Sequence, residues 1–247
     1  MNAILRPGLL CIAATVLIGC AGNADRPPTP KTASFDMRPM PKRTSGTWAN
    51  IVDAPVSAFR VLTGNAPIRY VRMMEDPDFP DERRKGITTL ASRSFGQREP
   101  YIRRYRQIAQ SDPDYLVRAA AIRALNASRD REAVPVFIAA LKDQNDRVRL
   151  QAAKALSNIP DPSASEPLTR VLGNQAESKD VRIAASEALR HYRNIEVARV
   201  LAGTLHGRDF GIAWQSRWSL KILTGRDYHY DEQEWLNYLT GADKPLG

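Results

Sequence analysis

A nine-residue pattern recurs five times along this chain, and the recurrence constrains the fold more than any other feature. Its clearest copy is Val148-Arg149-Leu150-Gln151-Ala152-Ala153-Lys154-Ala155-Leu156. Residues 117–125 and 181–189 match it closely, 212–220 less so, and 82–90 least. Successive copies start 35, 31, 33 and 31 residues apart, room for two helices and two turns. Apolar or small residues fall at the first, fifth, eighth and ninth positions, except for Glu82 at the start of the first copy, and this is the spacing of one buried helical stripe. The fifth position is always small: Gly86, Ala121, Ala152, Ala185, Ser216. A small residue at one fixed turn lets neighbouring helices approach closely.

A partner helix is expected before each copy, over 68–74, 101–109, 134–141, 166–172 and 195–205. Pro135 and Pro167 fall near helix starts, where a missing N–H costs little. Asp112, Asp114, Asp146, Asp161 and Asp180 punctuate the turns as candidate caps. The pattern Asp-x-x-Val-Arg-x-x-Ala-x-x-Ala-Leu, carried best by residues 145–156 and 179–189, resembles the HEAT-like repeat, the variety also seen in phycobilisome lyase-type proteins. The resemblance covers about residues 66–225. It implies an all-α, right-handed α-solenoid of about five helix pairs. Arg118, Arg149 and Arg182 recur at one position, beside Asp146 and Asp180. Stacking would bring each arginine near an aspartate or a turn carbonyl of the next repeat. A structural ladder is the expected role of these five residues, with ligand binding as the alternative.

Residues 1–19 read as a targeting segment: Arg6 is followed by a short uncharged apolar run, too short to span a bilayer. The run ends Leu17-Ile18-Gly19-Cys20, which resembles a bacterial lipobox. That resemblance implies diacylation of Cys20 after signal removal, and several acyl chains make a stable anchor. Of the two cysteines, Cys11 would leave with the signal and Cys20 would be consumed by lipid. Neither a cysteine nucleophile nor a cysteine-ligated metal is then expected. Ala21, rather than Asp, after the cysteine implies the outer membrane by the same resemblance. Residues 20–65 hold Pro27, Pro28, Pro30, Pro39, Pro41 and Pro55 and read as an extended, disordered tether. Within it, 56–64 reads as a short amphipathic turn. The lipobox, residues 74–84 and residues 223–231 together resemble repeat-bearing lipoproteins of planctomycete-type bacteria.

The array is expected to fill 66–247, with a cap over 226–247. Leu223-Thr224-Gly225 reads as a helix end, and Asp231 with Glu234 as a capping box for a last helix over 232–239. Trp214, Trp218 and Trp235 cluster there, as a cover for the last repeat or as an aromatic ligand groove.

No catalytic motif is found: G-x-S-x-G, P-loop, G-x-G-x-x-G and H-E-x-x-H patterns are all absent from the sequence. His191, His206 and His229 have no second histidine one turn away. No catalytic residue, metal or cofactor is therefore expected. The net charge of +9 directs attention to anionic partners. Arg83, Arg84, Lys85, Arg103, Arg104 and Arg106 are the candidate binding residues, although acids at 75–82 offset much of their field. Tyr101 and Tyr105 are expected in the core, and Arg103 and Arg106 on the outside. Export argues against nucleic acid as a partner. The expected function is a non-catalytic scaffold that binds a protein partner in the cell envelope and is held to the membrane by its lipid. The alternative is binding of an anionic polymer or lipid headgroups through residues 83–106.

Overall fold

The computed structural model describes residues 66–241 and Leu246, all within one compact unit, Gly46–Gly247. The expected targeting segment 1–19, Cys20, the expected tether 20–65, and residues 242–245 and 247 of the expected cap lie outside the described residues. Among the described residues there are eleven α-helices and no strand. They are α1 (Ala66–Met74), α2 (Pro80–Ala91), α3 (Tyr101–Ser111), α4 (Tyr115–Ala127), α5 (Val134–Ala140) and α6 (Asp146–Asn158). Then come α7 (Ser165–Gly173), α8 (Lys179–Leu189), α9 (Ile195–Ala202), α10 (Phe210–Thr224) and α11 (Glu232–Gly241). Short 3-10 turns stand at Ser94–Gln97, Arg131–Ala133 and Pro162–Ala164.

The helices pair as α1–α2, α3–α4, α5–α6, α7–α8 and α9–α10. The second helices α2, α4, α6, α8 and α10 stack directly, each on the one before. Their repeat positions explain why. Leu90, Leu125, Leu156, Leu189 and Leu220 are all 0% exposed, each worth about 2 kcal/mol on burial. The small position is buried in every copy, and at Gly86 even a methyl would not fit. An added Cβ there would lie 2.7 Å from the Tyr70 carbonyl oxygen and against the Met74 amide nitrogen. The first pair thus crosses backbone to backbone.

Helix starts are set by local side chains. Asp114 accepts from the amides of Leu116 and Val117 at 2.8 and 3.0 Å. For α6 the cap is Asn145, which accepts from the Arg147 amide, and for α8 it is Ser178, which accepts from the Val181 amide. This corrects the expectation for Asp146 and Asp180. Both lie inside the first helical turn, where they favour the positive end of the helix dipole without capping it. Gly225 ends α10 with φ +70°, the left-handed conformation that glycine adopts freely. The last helix begins with the Glu234 amide donating to Asp231 Oδ1 at 3.0 Å. It packs on α9 as the next first-layer helix would, and it buries Trp235 completely.

Candidate protein-docking face

The recurring arginines lie along the turns between first and second helices. Arg118 donates through Nε and Nη2 to Asp143, both at 2.8 Å, and through Nη1 to the carbonyls of Asp112 and Pro113. Arg149 repeats the arrangement one unit on, with Glu177 at 2.7 Å and the carbonyls of Asp143 and Gln144. Arg83 repeats it one unit back, with Asp112 at 2.9 and 3.0 Å and the Asp76 carbonyl. Each rung ties its own turn to the acid of the next. Arg182 donates to the Leu172 carbonyl, and the series stops at Ala213, where the last copy has no arginine. The acids of the ladder are Asp112, Asp143 and Glu177, rather than Asp146 and Asp180.

Arg83, read from sequence as a surface cation, is therefore a rung, and it is 8% exposed. The other five candidate binding residues are also near carboxylates. Arg104 makes a bidentate pair with Glu75 at 2.6 and 2.7 Å. Arg106 pairs with Asp130 at 2.6 Å and Glu132 at 2.9 Å, so it does not point freely outward as expected. Arg84 lies 2.9 Å from Asp81, Lys85 3.9 Å from Glu82, and Arg103 3.8 Å from Glu99. The six do not converge on one pocket. Tyr101 and Tyr105 are buried, and the Tyr105 hydroxyl is pushed well above its usual pKa by burial and by Tyr101.

The aromatic residues divide in a way the sequence leaves open. Trp235 is in the core, but Trp214 and Trp218 are 50% and 46% exposed. With Phe210 at 69% and Ile222 at 46%, they form a line at four-residue intervals down the open side of α10. The two indoles are parallel, with centroids 6.4 Å apart and planes at 3°. Phe210 leans on Tyr230 at 5.9 Å. Lys221 Nζ lies 5.5 Å from the Trp218 ring centroid, and the Arg217 guanidinium 5.1 Å from that of Tyr230. Arg217 donates to both oxygens of Asp227 at 2.9 and 2.8 Å, and Lys221 reaches the same carboxylate at 3.0 Å. Those two cations, with the His229 amide, hold the Asp227 carboxyl well below the usual carboxylate range. A shallow depression of about 160 Å³ is lined by Trp214, Arg217, Trp218 and Lys221.

Alignment of the copies carries a signal for this stripe. The two tryptophans occupy the third and seventh positions of their copy. The seventh position is Thr88, Arg123, Lys154 and Glu187 in the other four. A solvent-facing column that is polar four times and tryptophan once marks a surface that departs from the repeat. The histidines are dispersed: His206 faces Glu232, His229 faces Arg217, and His191 lies at the end of α8. Among the described residues no group of His, Cys, Asp and Glu converges as metal ligands.

Residues 102–190 match the family model for HEAT repeats. The structure is similar to that of the CpcE–CpcF complex of phycocyanin lyase from Nostoc sp. PCC7120, with 19% identity and a TM-score of 0.57. The likeness covers 65% of this chain and 65% of that one, so this chain spans just under two thirds of its length. It is also similar to YibA of Escherichia coli, with 18% identity, a TM-score of 0.54, and coverage of 74% and 77%. No curated protein matches the sequence. Identities this low carry the fold alone. The match to HEAT repeats extends over residues 102–190, and with the helix pairs stacked on either side of it the described residues have the fold of an α-solenoid.

Proposed function

We propose that this protein is a non-catalytic interaction array of the bacterial cell envelope, tethered by lipid on Cys20, which docks a protein partner on the open side of its second-layer helices. HEAT arrays are interaction scaffolds that offer extended helical surfaces. The observation that carries the reading is the line Phe210, Trp214, Trp218 and Ile222, four large apolar side chains left exposed on one helix. Aromatic anchors of this size dominate protein interfaces. The lyase likeness transfers no activity, since the fold is shared far more widely than any chemistry. Binding of an anionic polymer through residues 83–106 is the weaker reading, because the six candidate cations Arg83, Arg84, Lys85, Arg103, Arg104 and Arg106 each already face a carboxylate.

The test is crosslinking of the tagged protein in its native cells, with mass spectrometry at two salt concentrations. One dominant salt-resistant protein is expected, and it is expected to disappear in a Trp214→Ala/Trp218→Ala variant. Salt-labile recovery of polysaccharide or lipid without protein would refute the reading. The anchor is tested separately. Cys20→Ser is expected to move the protein to the soluble fraction, and its retention on membranes at high salt would count against lipidation. With Ala21 after the cysteine, the wild type is expected in the outer membrane.

A further inference from the structure

Building on that reading, we infer that the stripe on α10 takes an amphipathic helix of the partner protein, about three turns long, with carboxylates flanking its apolar face. The length follows from the stripe. Phe210 to Ile222 is thirteen residues, twelve steps of the helix and about 18 Å of rise. The shape follows from its four-residue spacing. Side chains at that interval form a continuous slanted ridge, which fits the groove between ridges of a second helix. The ridge is preformed: the parallel indoles brace each other and Phe210 rests on Tyr230, so little side-chain freedom is left to lose.

The charge follows from the rim. The outward arc of α10 holds Phe210, Gly211, Trp214, Trp218, Lys221 and Ile222, with no acid among them. Arg217 and Lys221 share the single carboxylate of Asp227. Arg208 and Arg226, just beyond the two ends of α10, have no carboxylate within 4 Å among the described residues. Lys179 is matched by Asp209 at 2.9 Å. With Glu187, which stands in the Trp218 column on α8 and pairs with Arg190 at 3.5 Å, six cations stand against three acids, and the complement of that rim is acidic. A second copy would bring the same excess of positive charge against itself. A bilayer is disfavoured by Lys221. A membrane-surface helix keeps its charges on the polar face, whereas here the Lys221–Asp227 ion pair, 3.0 Å, stands beside the Trp218 ring.

The experiment uses the full-length chain in detergent micelles, read by the emission of its exposed tryptophans and by calorimetry. The probes are a fourteen-residue peptide with leucines at four-residue intervals flanked by glutamates, its lysine-flanked counterpart, and the glutamate peptide with a central proline. The glutamate peptide is expected to bind at least about tenfold tighter than either control. Trp218→Ala is expected to weaken it about thirtyfold, the loss typical of an aromatic anchor. Lys221→Glu is expected to remove the preference for glutamate over lysine. Trp218 is 46% exposed and the Lys221 side chain 38%, and because Lys221→Glu faces Asp227 the urea midpoint of each variant is measured alongside to establish that it is folded. Equal or tighter binding of the lysine peptide, or no loss with proline, overturns the inference. So does quenching of Trp214 and Trp218 by brominated phosphatidylglycerol vesicles, or a concentration-dependent dimer that Trp218→Ala abolishes. If the cellular partner is lost in the double tryptophan variant while the peptides show no preference, the docking face stands and only the acidic helix fails.

Discussion

Arg118 and Asp143 lie 25 residues apart in sequence and meet through two parallel hydrogen bonds of 2.8 Å, with side chains only 15% and 13% exposed. The pair joins the turn before α4 to the turn before α6. Its remaining Nη1 donor holds the Asp112 and Pro113 carbonyls. Truncating Arg118 would leave the mostly buried Asp143 carboxylate with only the Asn145 amide as donor, and would deprive two turn carbonyls of theirs. Arg118→Ala is expected to destabilise the protein by about 3 kcal/mol. Arg103, 65% exposed and 3.8 Å from Glu99, is the control, and Arg103→Ala should stay within about 0.5 kcal/mol. Urea unfolding followed by circular dichroism separates the two. Equal midpoints for both variants would show that the ladder contributes nothing.

The same ladder predicts how stability depends on pH. Burial pushes the Asp143 and Glu177 carboxyls up, but donors from Arg118, Arg149 and the amides of Asn145 and Ser178 outweigh it, and both end below their ordinary values. Asp227, under Arg217 and Lys221, is lower still. A depressed folded pKa means the unfolded chain takes up protons first as pH falls. The stabilisation is complete above the ordinary carboxylate range near pH 4 and is lost progressively below it. Melting temperature should therefore fall only slightly from about pH 7 to 5, where burial holds the His191 imidazole below its ordinary range, and drop steeply below about pH 4. In Asp227→Asn the drop should be shallower. A melting temperature that stays constant into strong acid contradicts the assignment.

Gly86 tests the first helix crossing through the sign of a substitution. In an exposed helix, Gly→Ala gains about 1 kcal/mol. Here the added methyl would meet the Tyr70 carbonyl at 2.7 Å and the Met74 amide, both backbone atoms that cannot rotate away. Gly86→Ala is expected to destabilise by about 2 kcal/mol, the range of overpacked cores. Gly173, with nothing within 4 Å of its added Cβ, is the counterpart, and Gly173→Ala should be neutral or stabilising. Chemical denaturation of both variants decides this, and a gain at Gly86 would mean that α1 does not sit where described.

What the sequence made legible was whatever periodicity controls. The five second helices and their small and leucine positions follow from one repeated spacing, and burial obeys it at every copy. Caps were legible only to within a residue or two. Asn145-Asp146 and Ser178-Lys179-Asp180 each offer more than one side chain able to accept an amide, and the turn chooses the earlier one. The acid partners of the ladder were not legible. They are reached across a repeat boundary, and they change type from Asp112 and Asp143 to Glu177. Arg106 was misread for a related reason: helical spacing faces it outward, but the turn at Asp130–Glu132 of the next pair rises to meet it. The stripe on α10 was half legible, since composition flags the tryptophans and only their column in the repeat tells which ones stay exposed.

The last repeat replaces the small alanine of its neighbours by Ser216, and the hydroxyl is fully buried. It does not go unpaired: Thr204 Oγ1 lies 2.7 Å from it and Ser186 Oγ 3.0 Å, while Ser219 donates to the Ser186 carbonyl at 2.8 Å. Three elements, α8, α10 and the turn after α9, are thus linked through one polar chain in an otherwise apolar layer. Ser216→Ala restores the residue found in three other copies and gains helix propensity, about 0.5 kcal/mol. Against that, it strands the Ser186 hydroxyl in the core and removes a partner of Thr204, a cost of about 1 to 3 kcal/mol. The loss should win, and Ser216→Ala is expected to destabilise by about 1 kcal/mol. The double change Ser186→Ala/Ser216→Ala removes the stranded group and should recover most of it. A double-mutant cycle in urea measures this. Additive losses would mean that the two hydroxyls do not depend on each other, and that Ser216 is tolerated rather than required.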